Sequence, residues 1–248
     1  MAATPQEIKK YMKKGAETVE EGLPGWFGTF ADMMTLLFAF FVLLAAISTI
    51  DPVKLQNMAD SMGKSVGKKE KLDNQAMSLG DIHKAATKMV EEMAADPQTG
   101  EKPVEVTTSP KGVTIGISSD ISFESGSANT KPGFLEILKK IVPTIQESYN
   151  MIAVEGHTDS DALPNALLAR YPSNWELSGA RASAVVRLLI GLDVDPVRLQ
   201  SVGYGEFVPR DKNTAEIITA DLIQKYNSNP QQKARNRRVE ITFLAPNL

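Results

Sequence analysis

The chain has 248 residues, with 27 Lys and Arg against 30 Asp and Glu for a formal charge of −3. That length allows one ordinary domain with additions or two small ones, and the lack of a basic surplus argues against nucleic acid as a partner. There is no Cys, and the two His are His83 and His157, which excludes a disulfide framework, a thiolate nucleophile and a Cys-based or His-rich metal centre; no resident metal or cofactor is expected.

A mean hydropathy of −0.17 conceals one segment of a different kind. Residues 1–25 form a tail of mixed charge, and residues 26–50 read WFGTFADMMTLLFAFFVLLAAISTI, with Asp32 the one charged residue among them. A hydrocarbon core of about 30 Å needs about 20 helical residues, so this run is long enough to cross a membrane once. A cleaved signal peptide fits poorly: the tail is long and mixed in charge, the apolar run is too long, and such a run has no use for an aspartate. The positive-inside count does not orient the span, because Lys9, Lys10, Lys13 and Lys14 before it are matched by Lys54, Lys64, Lys68 and Lys69 after it.

Asp32 carries the most information. It stands about 9 Å inside the Trp26 boundary, and a carboxylate near a helix centre costs about 2.5–3.5 kcal/mol to insert. Desolvation favours its neutral form and a bound cation favours the anion, so a proton or Na⁺ can bind there and leave. Thr35 and Ala39, at i+3 and i+7, make a small-residue face suited to close packing against other helices.

In residues 51–66, DPVKLQNMADSMGKSV, Leu55, Met58, Met62 and Val66 recur at helical spacing as a narrow amphipathic stripe. Residues 67–100 read as a polar linker followed by a helix through Ile82, Ala86, Met89 and Met93 that ends near Asp96-Pro97. From Val104 the period changes to two, with a hairpin about Pro110-Lys111-Gly112. A helix (134–142), a strand (151–154), a helix (175–189), a strand (199–202) and a last strand (239–243) follow. Residues 101–248 are therefore expected to form an α+β domain: an α/β sandwich with a mixed sheet and helices on one side.

Motifs recur through that region: FESGSA at 123–128, VEGHTD at 154–159, PSNWELSGARA at 172–182, GYGE at 203–206 and NRRVEI at 236–241. Together they resemble the OmpA-like peptidoglycan-binding domain. Joined to GTFADMMTLLFAFFVLL, the combination resembles the flagellar motor stator B-subunit family, MotB and its sodium-type relative PomB. The Cys that PomB-type spans often carry is absent, with Ala39 nearby, so the coupling ion stays open between Na⁺ and H⁺.

The resemblance implies roles for particular residues. Peptidoglycan stems carry the diaminopimelate zwitterion, and Asp159 and Arg181 would take its ammonium and carboxylate, the latter through a bidentate guanidinium fork. Thr158, Asn174, Leu177 and Ser178 would shape the pocket, and Arg238 is a further candidate. Asp32 would be the ion-binding aspartate, and residues 51–66 a plug helix. The implied partners are a ring of multi-span MotA/PomA-type subunits, a second copy of this chain and peptidoglycan. The implied location is the inner membrane, single-pass, with the N-terminus cytoplasmic and the C-terminal domain periplasmic. His157 and Asp159, at i and i+2, would share a strand face, but no nucleophile accompanies them, and GxGxxG and Walker A patterns are absent; an enzyme is not expected. Two rival readings are a passive membrane-to-wall tether, which leaves Asp32 without a task, and an ion-driven unit of the same architecture in a non-flagellar system.

Overall fold

The computed structural model describes residues 4–17, 24–47, 77–93, 102–213 and 216–245. The plug-like stripe of Leu55, Met58, Met62 and Val66 lies outside the described residues. The chain divides into two compact units, residues 1–50 and 51–248.

In the first unit, helix α1 (Pro5–Glu17) opens on a cap in which the amide and hydroxyl of Thr4 both donate to Glu7 Oε2 at 2.9 Å. Helix α2 (Gly25–Ile47) follows Pro24 and is about 35 Å long. Residues Gly25–Ala46 have a mean hydropathy of 2.0 and form a helix long and apolar enough to cross a membrane. Asp32 lies in its N-terminal half. One turn on, Thr35 Oγ1 donates to the Ala31 carbonyl at 2.8 Å, so its proton is spent within the helix.

The second unit is built on a five-stranded sheet of order β1-β2-β5-β3-β4. Its strands are β1 (Val104–Ser109), β2 (Gly112–Ser118), β3 (Ile152–His157), β4 (Leu199–Gly203) and β5 (Arg238–Leu244). Only the β3–β4 pairing is parallel. The hairpin turns on Gly112, whose φ of 137° only glycine adopts readily. Three long helices supply most of the rest of the core: α3 (Leu79–Glu91), α5 (Pro132–Glu147) and α7 (Asn174–Gly191). Alternate residues Val113, Ile115, Ile117 and Val239, Ile241, Phe243 point from β2 and β5 into one buried cluster with these helices. The helices thus cover one face of a mixed sheet, as the alternation in the sequence requires.

Several details depart from the sequence expectation. Leu79, Ile82 and Ala86 of α3 are buried in the common core, so the domain reaches N-terminal of residue 101. The helix also stops at Glu91, before Asp96-Pro97. Short helices α4 (Ser119–Ser122), α6 (Asn165–Leu168), α8 (Ala220–Lys225) and α9 (Pro230–Asn236) were not foreseen; at four to seven residues they are too short to show a helical period.

The other face of the sheet is polar. Thr114 and Thr242 share a hydrogen bond at 3.0 Å, and Glu155, His157, Arg238 and Glu240 lie buried under the loop 204–213. Glu240 Oε1 accepts from Arg238 Nε at 2.6 Å and Arg210 Nη1 at 2.9 Å, and Arg210 also reaches Glu105 at 2.7 Å. This alternation of charges pins the loop to the sheet.

Candidate functional site

A cleft of about 450 Å³ opens at the C-terminal end of β3, lined by Asp120, Phe123, Lys131, Asp159, Arg181 and Arg237 among others. Thr158 ends the strand by donating its amide to the Gly205 carbonyl at 2.9 Å, and the chain then turns so that Asp159 enters the cleft. Asp159 Oδ1 accepts the Asp161 amide at 3.2 Å, and Oδ2 accepts Arg237 Nη1 at 2.8 Å. Arg237 also donates to both oxygens of Asp120, through Nε at 3.4 Å and Nη2 at 3.2 Å.

Arg181 comes from the second turn of α7 and is 5% exposed. Its Nε donates to the Ser127 carbonyl at 3.0 Å, and its guanidinium lies over the Phe123 ring at 5.3 Å. Its two terminal nitrogens have no hydrogen-bond partner among the described residues, and Arg181 lines the cleft. Burial pulls its pKa below the ordinary value while Asp159 opposes, but an arginine stays cationic. The cleft therefore presents one fixed guanidinium, with four N–H donors on its two unpartnered nitrogens, beside a fixed carboxylate. That arrangement fits a ligand carrying carboxylate and ammonium together.

The sequence candidates divide into two groups. Asp159 and Arg181 meet in the cleft, whereas Thr158, Asn174, Leu177 and Ser178 hold its frame. Asn174 Nδ2 donates to the carbonyls of Asp159 at 3.3 Å and Asp161 at 3.1 Å. Ser178 Oγ accepts the Gly205 amide at 3.0 Å and donates to the Trp175 carbonyl at 2.9 Å, while Leu177 packs with Ala128 and Tyr171 in a small second core. The backbones of β3 and α7 touch here: a Cβ on Gly156 would run into the Ser178 carbonyl.

Arg238 lies on the opposite side of the sheet, bonded to Glu240, and its sequence neighbour Arg237 reaches the cleft instead. The signal was period two: Val239, Ile241 and Phe243 face the helices, which sends Arg238 to the polar face. Asp120 and Lys131 also line the cleft and carried no sequence signal of their own. His157 and Asp159 do not share a face, because β3 ends at His157. The imidazole stacks on Tyr204 with centroids 5.3 Å apart, and its Nε2 is 3.8 Å from Glu240 Oε2.

Glu155, His157 and Glu240 each offer a donor atom within 4.8 Å of the others. A metal ion there would meet Arg238 and Arg210, already bonded to Glu240, and Lys111, 3.7 Å from Glu155. Those cations do the charge balancing a metal would do, so the cluster is a structural network.

An apolar N-terminal helix ahead of this sheet and cleft defines a membrane-anchored protein with an OmpA-like domain. The family model described as membrane MotB of the proton-channel complex MotA/MotB matches residues 9–66, and the OmpA family model matches residues 122–220. The chain is 30% identical to the uncharacterized protein YtxE of Bacillus subtilis, over 93% of both chains. It is 29% identical to motility protein B of the same organism, over 95% of both. A MotB-like protein from Desulfovibrio vulgaris shares the fold, with a TM-score of 0.51 and 24% identity over 68% of this chain and 96% of that one. The chain belongs to the MotB family.

Proposed function

We propose that this chain is the B subunit of a flagellar motor stator. It binds a cation at Asp32 within the cytoplasmic membrane, and its OmpA-like domain, on the periplasmic side, holds peptidoglycan through Asp159 and Arg181. The observation that carries this reading is Asp32, the one charged residue in an apolar helix of spanning length. A tether would do better without it, given the cost of about 2.5–3.5 kcal/mol. Loading a cation removes net charge from a dry site, so loaded and empty states favour different packing. A potential of about 100 mV supplies about 2.3 kcal/mol per charge moved across it. One helix cannot enclose a path, so a multi-span A-type subunit and a second copy of this chain complete it. The coupling ion is Na⁺ or H⁺, since a carboxylate accepts either.

The wall contact rests on the cleft. A diaminopimelate carboxylate pairs with the open nitrogens of Arg181 and its ammonium with Asp159, and fixing the domain lets a moving ring push instead of drift. The test is swimming in a strain lacking its own B subunit. Asp32→Asn is expected to abolish motility and Asp32→Glu to retain part of it; undiminished swimming with Asp32→Asn would leave only the tether. Loss of swimming on Na⁺ depletion at fixed pH identifies Na⁺.

A further inference from the structure

One residue after Asn174, Trp175 stacks on Phe207 with ring centroids 5.1 Å apart and planes 22° from parallel. Trp175 remains 49% exposed. An indole left half in water forgoes much of its burial gain, and the binding reading above gives the pair no task. Both rings rest on rigid supports. Trp175 lies in the first turn of α7, its amide capped by Ser173 Oγ at 3.2 Å. Phe207 sits in a turn closed by its amide to the Tyr204 carbonyl at 3.2 Å, next to Gly205, which Ser178 holds. The result is a flat, apolar, pre-organised plate.

The plate and the cleft share one loop. Asn174, adjoining Trp175, holds the carbonyls of Asp159 and Asp161, and Gly205, two residues before Phe207, takes the Thr158 amide. Along α7, Trp175 precedes Arg181 by six residues, about 9 Å. Peptidoglycan is a polymer in which diaminopimelate is the third residue of a peptide hung on an amino sugar, and three extended residues span about 10 Å. A stem whose side chain is seated at Arg181 thus has about the reach needed to bring its sugar to the N-terminal end of α7, where Trp175 lies. The C–H face of a pyranose is apolar and slightly positive, complementary to the negative face of an aromatic ring.

We propose that the Trp175–Phe207 pair is a sugar-stacking subsite for the glycan of the same peptidoglycan whose stem enters the Asp159–Arg181 cleft. It rests on that binding reading and adds the carbohydrate to it. The test uses the full chain in detergent with Trp26→Phe, which leaves Trp175 as the one indole of the two in the sequence. It is titrated with an N-acetylglucosamine tetramer, a disaccharide tripeptide and the free stem tripeptide. The tetramer should shift Trp175 emission saturably. Trp175→Ala, which leaves no indole and is therefore compared with its parent by titration calorimetry, should weaken the disaccharide tripeptide about tenfold, leave the free tripeptide unchanged and remove tetramer binding, with Trp175→Tyr recovering part. Equal losses for both peptides, or no loss for either, would overturn the subsite. A tripeptide that binds without any sugar response would defeat the subsite and spare the cleft; a sugar response with no tripeptide binding would do the reverse.

Discussion

Arg237 Nη1 donates to Asp159 Oδ2 at 2.8 Å, so the carboxylate at the mouth of the cleft is held in one orientation before any ligand arrives. Arg181, by contrast, keeps both terminal nitrogens open. Both Asp159→Ala and Arg181→Ala are expected to reduce co-sedimentation with purified peptidoglycan about tenfold or more, the scale of a lost charge-assisted contact. Asp120→Ala should cost no more than about threefold, because Arg237 keeps Asp159. Equal effects from all three would mean that the cleft as a whole, and not the Asp159–Arg181 pair, recognises the wall.

The frame of the site depends on backbone contact between β3 and α7. Gly156→Ala places a methyl against the Ser178 carbonyl, and the clash must push α7, and Arg181 with it, away from the sheet. Overpacking of this kind costs about 1–3 kcal/mol. The melting temperature of the domain should fall by several degrees and peptidoglycan binding should fall with it. Unchanged melting would show that α7 is not seated as described.

Stability should also depend on pH through the polar face. Burial, with Arg238 adding repulsion, lowers the pKa of His157 from 6.5 to about 3. Between those values the unfolded chain takes up a proton that the folded one refuses, so stability is complete above about pH 6.5 and is lost as the pH falls toward 3. One such proton is worth about 1.4 kcal/mol per pH unit. Burial raises the pKa of Glu240, but Arg238 and Arg210 outweigh it and bring the carboxyl down from 4.5 to about 2, which extends the loss to lower pH. Glu155, raised chiefly by burial, works in the opposite sense, gaining its proton more readily in the fold. Melting temperatures between pH 7 and 4 should therefore decline, and His157→Gln should flatten that decline; an equal slope in the variant would contradict the assignment.

Much of this was legible in the sequence because burial writes a period. The strands around Ile115, Val154 and Ile241 and the helix from Asn174 announce themselves by spacing, and Asp32 by its contrast with its neighbours. Asp159 and Arg181 came from motifs. What was not legible arises where chain direction, not periodicity, decides the outcome. Arg237 precedes its strand and turns into the cleft, while Arg238 begins the strand and turns away. Asp120 and Lys131 arrive through a four-residue helix and a loop that leave no pattern. The Trp175–Phe207 stack joins residues 32 positions apart, which no local pattern connects.

The most direct measurement is the cation current through cells that express this chain, with residues 51–66 deleted, together with an A-type subunit. With Asp32 in place, current should rise with membrane potential and, for a sodium path, with external Na⁺. With Asp32→Asn it should fall to the level of cells lacking the chain, while the protein remains in the membrane fraction and still sediments with peptidoglycan. A current that survives Asp32→Asn would contradict the account.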